Sequence, residues 1–231
     1  IPGGMSKGLN SAERARLEEI CRFMVEFGKL TLKIVHDVVL SNKEYVDLIL
    51  HGPYLHRTYY MGMVDEQKRL NYYDGRVRVV DPEGQELCCY SPRDYMNHVA
   101  ERVEPWSYLK FPYLKAVGWK GFVDGKESGV YRATPQSRLN AADGMNSPLA
   151  QEAYEEYFET LTGDRSGRKP VHNTLAIHWA RCIELMNAAE HALELVQHPE
   201  ITNPDNYRVV CDGTPSEGVG IVEAPRGTLT H

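Results

Sequence analysis

The chain has 231 residues, of which 42% are hydrophobic and 25% charged, as in an ordinary globular protein. Its formal net charge of −6 argues against nucleic acid as a partner, because binding a phosphate backbone requires a basic face. No run approaches the roughly 18 apolar residues of a membrane span, and the first residues show no charged-then-apolar pattern. We therefore expect neither a membrane helix nor a secretory leader.

The cysteines are odd in number and irregularly spaced. They are Cys21, Cys88, Cys89, Cys182 and Cys211, and no CxxC occurs. Neither a disulfide framework nor a zinc site is indicated by this spacing. The pattern predicts a reducing compartment, and the cytoplasm is the expected location.

Both ends of the chain have the composition of chain interiors. It begins IPGGMSKG without an initiator methionine and ends EAPRGTLTH within an apparent strand. We expect residues 1–231 to form a single incomplete domain, the central part of a longer protein.

The first predicted element is a long helix over about 10–39. Asn10 and Glu13 have capping-box spacing, which is a helix-start pattern. Ser41 and Glu44 repeat this spacing and predict the cap of a second, short helix. In the first helix apolar or β-branched residues recur every three or four positions, at Leu17, Ile20, Met24, Phe27, Thr31, Ile34 and Val38.

A small sheet is predicted over about 58–90. Strand-like runs cover 70–73, 76–80 and 86–90, and Asp74-Gly75 between the first two is a strong hairpin pattern. Ser91 followed by Pro92 predicts a helix start, with the helix continuing to about Val103.

The remainder alternates between an ordered loop region and helices. Residues 104–148 are rich in aromatics, glycine and proline, and include PWSYLKFPYLKAVGW; such a loop is expected to pack across another element or a partner. Helices are predicted over 149–161 and about 173–197, and a strand region over 218–231. The predicted fold class is mainly α with small antiparallel β elements (α+β).

The polar side chains of the second long helix do not form a complete site. His178 and Cys182 are four residues apart, as two metal ligands on one helix face would be, but no further ligand falls at metal spacing. His178, Arg181 and Glu184 recur every three residues and indicate a polar face or a buried ion pair. Cys88 and Cys89 are adjacent in a strand and therefore point to opposite faces, which favours packing over redox chemistry. HExxH, GxSxG and P-loop patterns are absent from the sequence.

The run EAPRGTLTH breaks the rules of strand composition. Pro225 cannot donate to a β-ladder, and Arg226 is permanently charged. One interpretation is an edge strand with the proline facing solvent and the arginine extended to water. The other is a functional pair that overrides strand stability.

Several blocks in fixed order resemble one enzyme family. The chain resembles the large subunit of nickel–iron hydrogenases, in the cytoplasmic group that includes NAD-reducing and viologen-reducing enzymes. The blocks cover essentially the whole chain, and EAPRG within the co-linear set is the most specific. They are PGGMSKGL, YMGM, YYDGRVRVVDPEG, HVAERVEPWSYLKFPYLKAVGW, GVYR, SRLNAADGMNSPLA, HNTLAIHWARCIELMNAAEHALELVQHPEI and GVGIVEAPRGTLTH.

This resemblance implies a fold, an activity and partners. The fold is the long-helix bundle of that subunit, with the helices from Asn10 and Asn173 packed together. The implied activity is reversible heterolytic cleavage of H2 to protons and electrons. Electrons pass to an iron–sulfur small subunit, with NAD- or disulfide-reductase-linked subunits as possible further partners in a heteromultimer.

The resemblance also implies where the cofactor is held. In the family, two CxxC pairs bind a nickel–iron centre that carries cyanide and carbon monoxide. Neither pair is in this sequence, so no residue here is assigned as a metal ligand, and the isolated chain is expected to bind no nickel and to be inactive.

What the family pattern assigns to this chain is Pro225 and Arg226, which overhang the metal pair without ligating it. A guanidinium keeps its charge near neutral pH, so Arg226 supplies a fixed field and hydrogen-bond donors where charge develops, including toward an iron-bound cyanide. Pro225 supplies a rigid apolar wall.

Two alternatives remain. A non-catalytic scaffold or subunit-interaction protein of the same fold would use 105–119 as its contact surface and Arg226 only as an ion-pair partner. A quinone-reductase-type relative usually has lysine and an acidic residue, as in APKGE, whereas this chain has Arg226 and Thr228. The arginine favours the hydrogenase.

Overall fold

The computed structural model describes residues 7–205, 217–224 and 227–231. Its helices and strands belong to the α+β class, as predicted from the sequence. Among the described residues no helix is long and apolar enough to cross a membrane. In chain order the helices are α1 Ser11–Ile34, α2 Lys43–His51, α3 Tyr95–His98, α4 Pro135–Ala141, α5 Pro148–Thr162 and α6 Ile177–Gln197. The strands are β1 Tyr59–Val64, β2 Arg76–Val80, β3 Glu86–Tyr90, β4 Val99–Val103, β5 Lys110–Leu114, β6 Tyr131–Arg132, β7 Ile221–Ala224 and β8 Gly227–Thr230.

Helix α1 begins at the predicted capping box. The Asn10 side chain accepts from the Glu13 amide, and the Glu13 carboxylate accepts from the Asn10 amide. The buried residues of α1 are Cys21 and Gly28, the same side continues at Val35 in the turn that follows, and α1 packs against α6. Many of the apolar positions that predicted the helix face outward instead; they include Leu17, Ile20, Phe27, Ile34 and Val38.

Gly28 lies at the contact between α1 and α6. A Cβ built on Gly28 would lie 2.9 Å from Cε of Met186, so a larger residue there would require the flexible end of the Met186 side chain to move. At the other end of the contact, Arg14 donates to the backbone carbonyls of Val196 and Gln197. These contacts fix the two long helices side by side.

The cap of α2 is displaced by one residue from its predicted position. Residues 35–40 form a π-helical turn, and Ser41 keeps helical backbone angles. The Ser41 hydroxyl therefore donates to the Asp37 carbonyl, and it is the Asn42 side chain that accepts from the amides of Glu44 and Tyr45. The prediction of Ser41 as the cap is wrong because the π-helical turn extends the first helix to Leu40. Ser41 therefore still has helical backbone angles and cannot adopt the extended conformation of an N-cap.

The main sheet has the strand order β3-β2-β1-β6. The predicted hairpin between 70–73 and 76–80 is wrong, because β2 pairs with β1 instead. The side chain of Asn71 accepts from the amides of Tyr73 and Asp74, which turns this segment into a loop. Strands β2 and β3 have the bounds predicted for the runs 76–80 and 86–90, and they pair antiparallel with each other. Strand β6 adds a short parallel pairing to β1.

The predicted helix from Ser91 to Val103 is also wrong in its second half. Only a 3-10 turn and the four-residue α3 are helical, and 99–103 forms β4. This strand pairs with β5 over its whole length, with Val99 opposite Leu114. The 104–148 region therefore contains β5, β6 and α4 instead of being irregular throughout. Strand pairing, which local propensity does not encode, set the structure of β5 and β6.

The core has a helical part and a sheet part. The helical part is built on α5 and α6, with Tyr154, Tyr157, Phe158, Ile183 and Met186 fully buried. Helix α4 packs between this core and β1. The strand region predicted over 218–231 contains two antiparallel strands, β7 and β8, with Ala224 opposite Gly227.

Candidate functional site

A buried arginine lies at the centre of the charged side chains next to the C-terminal strands. Arg138 of α4 is only 2% exposed and forms a bidentate pair with Glu184 of α6. Its Nε and Nη2 donate to the two carboxylate oxygens at 2.6 and 2.8 Å. Paired hydrogen bonds of this kind fix both distance and orientation. Arg138 is therefore held rigidly to the long helix behind it.

Glu223 of β7 contacts Nη1 of the same guanidinium, which also donates to the Ala133 carbonyl at 3.3 Å. Its side chain is 0% exposed, and one oxygen lies 3.4 Å from Nη1 of Arg138. The other oxygen accepts from the backbone amide of Met63 at 2.9 Å. Thr228 of β8 completes the set, with its hydroxyl 3.4 Å from Glu223. One side chain thus connects the C-terminal strand pair to β1 and to α4.

Burial and charge attraction act in opposite directions on the pKa values of Glu223 and Arg138. Burial raises the pKa of Glu223, and the charge of Arg138 and the Met63 hydrogen bond oppose that rise. Burial also pulls the pKa of Arg138 down, but its hydrogen bonds and its attraction to the carboxylates outweigh burial and raise it. Arg138 therefore remains charged, and two acidic side chains share one cation.

The backbone beneath this network is closely packed. A Cβ built on Gly62 of β1 would lie 2.9 Å from the Cα of Arg138, so α4 lies directly on the strand. Met63, which donates to Glu223, is the next residue in β1. The glycine thus sets the height of Arg138 above the strand that also holds Glu223.

An open cleft of about 400 Å³ adjoins the network. Arg138, Glu184 and Glu223 line one part of it, together with Tyr72 and Arg181. Burial and the neighbouring Glu184 raise the pKa of the Tyr72 hydroxyl, which keeps that hydroxyl protonated. The cleft gives solvent access to one side of an otherwise buried charge cluster.

The residues predicted from the sequence to act, Pro225 and Arg226, lie outside the described residues. Their flanking strands are described: β7 ends at Ala224, and β8 begins at Gly227. Glu223, two residues before Pro225, is the charged anchor of those strands. The predicted roles of Pro225 and Arg226 therefore stay predictions.

The described residues supply no set of metal ligands. No group of three or more His, Cys, Asp or Glu side chains converges among them. Cys21, Cys88, Cys89 and Cys182 are free thiols, and burial raises the pKa of Cys88 to about 11 and also raises that of Cys182. A nickel–iron centre does not fit these residues as its ligands, so no chemical step is assigned to them.

Of the polar residues noted in α6, two line a small apolar cavity and one forms a buried ion pair. His178 and Cys182 line a small apolar cavity of about 110 Å³ with Trp179, which is core packing. Glu184 forms the buried ion pair that the spacing suggested, but its partner is Arg138 on another helix. Spacing within one helix could not identify a partner from elsewhere in the chain.

Sequence reasoning missed Arg138 and Glu223 as site residues, although both lie in blocks that carried the resemblance. One pattern could have found Glu223: it shares strand parity with the apolar Ile221, so both face the core. An acidic residue on that face requires a buried cation. Arg138 lies in a helix whose every residue is buried, and it is the cation.

Comparison with known proteins gives similarity over every residue of the chain, although no protein-family model matches it. The chain is 47% identical over 231 residues to an F420-non-reducing hydrogenase iron-sulfur subunit of Archaeoglobus profundus, and covers 46% of that protein. It is 34% identical over 241 aligned residues to the NAD-reducing hydrogenase HoxS subunit beta of Cupriavidus necator, again covering 46% of it. The chain thus spans about half the length of the curated relatives it matches.

The solved structures to which the chain is similar are also hydrogenases. An NAD+-reducing [NiFe]-hydrogenase in the H2-reduced state superimposes with a TM-score of 0.81 at 30% identity, over 100% of this chain and 48% of the other. A [NiFeSe]-hydrogenase of Dm. baculatum matches with a TM-score of 0.56 at 18% identity, covering 99% of this chain and 49% of that one, which indicates the fold alone. The chain therefore has the fold of the corresponding half of a nickel–iron hydrogenase chain, and its similar proteins are hydrogenase subunits.

Proposed function

We propose that the chain is the central part of a nickel–iron hydrogenase large subunit of the cytoplasmic, NAD-reducing or viologen-reducing type. The observation that carries this proposal is whole-chain similarity, in sequence and in fold, to the NAD+-reducing [NiFe]-hydrogenase chain. The complete protein would cleave H2 reversibly into protons and electrons. Its electrons would pass to an iron–sulfur small subunit, and NAD- or disulfide-reductase-linked subunits would complete the assembly.

In this proposal the centre that activates H2 is a nickel–iron pair with cyanide and carbon monoxide ligands, held by residues beyond these 231. The part of this chain is to shape the surroundings. Arg226 would supply a fixed positive charge and hydrogen-bond donors where heterolysis separates charge, and a permanently charged guanidinium suits that task. Pro225 would wall the site and exclude water.

The test is Arg226→Lys in the assembled hydrogenase, with H2-dependent dye reduction and metal content measured together. Lysine keeps the charge but loses the planar fork of donors, so the proposal expects a large loss of turnover with unchanged nickel and iron. Arg165→Lys is a matched control, because Arg165 is an exposed arginine far along the chain from the proposed site. Unchanged turnover in Arg226→Lys would contradict the catalytic role.

A second candidate, a non-catalytic scaffold of the same fold, is favoured by one observation. Ring contacts join five aromatic residues of the 105–122 region, Trp106, Phe111, Tyr113, Trp119 and Phe122. Two of these side chains are largely exposed, Trp106 at 66% and Phe122 at 58%. Exposed aromatic clusters are typical of protein interfaces. The same Arg226→Lys experiment separates the two candidates, since a scaffold predicts no change in turnover.

A further inference from the structure

Glu223 ties the C-terminal strand pair to β1 and to α4. We propose that Glu223, acting with Arg138, is a positioning residue: it fixes β7 and β8, and thereby sets where Pro225 and Arg226 lie. This inference rests on the proposed function, because positioning matters for turnover only if Arg226 acts in the reaction.

Few other contacts hold the described residues of the strand pair in place. A two-stranded ribbon is marginally stable by itself in water. Ile221 inserts into the sheet core, but Val222 and Leu229 are each about half exposed. The buried carboxylate of Glu223 is thus the principal polar anchor among the described residues of the pair.

The anchor is rigid because each of its partners is fixed independently. Met63 N–H belongs to the central strand β1, which is paired on both sides. Arg138 is locked by its bidentate pair with Glu184. Its Cα is also pressed against Gly62. A carboxylate held by two fixed donors cannot move without breaking a buried hydrogen bond.

The chain length between anchor and proposed site is short. Glu223 and Arg226 are three residues apart, and Thr228 on the far side of Arg226 also contacts Glu223. Both strands that flank residues 225 and 226 are therefore tied to one carboxylate. A displacement of this carboxylate would be transmitted to both strands, and misplacement of a reacting group by about 1 Å can cost on the order of 100-fold in rate.

The test uses Glu223→Gln in the complete, assembled hydrogenase. Glutamine keeps an acceptor for Met63, but its amide donors face the donors of Arg138. We expect faster hydrogen exchange at the backbone amides of β7 and β8, with α5 and α6 unchanged. We also expect a fall in kcat of roughly 10- to 100-fold with KM unchanged. Glu223→Asp keeps the charge and should recover part of the loss.

Glu217→Gln is the matched control, because Glu217 is exposed and precedes the strand pair. It should change neither exchange nor kcat. If Glu223→Gln leaves exchange and kcat unchanged while Arg226→Lys still lowers kcat, the positioning role is refuted and the proposed function stands. If Arg226→Lys has no effect, the catalytic role of Arg226 fails and the positioning role fails with it.

Global unfolding of Glu223→Gln would appear as faster exchange in α5 and α6 as well. In that case Arg138→Lys tests the positioning role, since one ammonium cannot bridge Glu184 and Glu223 with the geometry of a guanidinium. Local loosening of β7 and β8 with reduced kcat supports the inference. An unchanged strand pair contradicts it.

Discussion

Replacing Arg138 by methionine should destabilise the protein far more than replacing an exposed arginine. Methionine fills similar volume but leaves Glu184 and Glu223 without their shared cation, and these side chains are 12% and 0% exposed. Removing one partner of a buried ion pair typically costs about 3–5 kcal/mol. Each 1.4 kcal/mol is about tenfold, so the folding equilibrium should fall by about two to four orders of magnitude.

The assay is urea unfolding of the Arg138→Met protein beside Arg165→Met. Arg165 also pairs with two glutamates, Glu155 and Glu159, but its side chain is 62% exposed. Exposed pairs contribute at most about 1 kcal/mol, so the control should lose little. Burial already raises the pKa of Glu223, so the Arg138→Met deficit should shrink as acid protonates that carboxyl group. Equal losses in the two variants at neutral pH would refute the reasoning.

Three further results are expected. Gly62→Ala places a methyl group 2.9 Å from the Cα of Arg138 and should cost about 1–3 kcal/mol in urea unfolding, whereas Gly218→Ala, with no atom within 4 Å, should cost much less. Burial and nearby arginines lower the pKa of His172 to about 4 from 6.5, so the unfolded chain protonates first and stability falls as pH drops from 6.5 to 4. His172→Gln should flatten that fall, and an unchanged slope would exclude His172 as its source. Phe23 lies on the exposed face of α1 and is 69% exposed. Phe23→Ser should therefore reduce the binding of a hydrophobic dye to the 231-residue chain without lowering the stability of the chain. A loss of stability would mean that the ring is packed.

Local sequence patterns predicted a helix correctly where a capping motif was followed by apolar residues at helical spacing. The Asn10–Glu13 capping box begins α1 as expected, because both halves of that motif lie within four residues. The same reasoning failed at Ser41, where a π-helical turn moved the cap to Asn42. It also failed at 99–103, where antiparallel pairing with the next strand, β5, prevailed over local helix signals.

The candidate site was only partly visible in the sequence. The EAPRG block directed attention to Pro225 and Arg226, and resemblance, not periodicity, gave them their expected roles. The contact between Arg138 and Glu223 joins residues 85 positions apart, and no local spacing rule encodes such a pair. What the sequence does contain is the acidic residue on the inward face of an apolar strand, which requires a cation that only the fold identifies.

The hydrogenase assignment is tested most directly by the coding sequence on both sides of these 231 residues, read together with the nickel content of the purified complete protein. The proposed function predicts one CxxC pair upstream, another downstream, and bound nickel. Two such pairs would supply the four thiolates that this sequence lacks. If either pair is absent, a nickel–iron centre of this type cannot form, and the scaffold candidate replaces the enzyme.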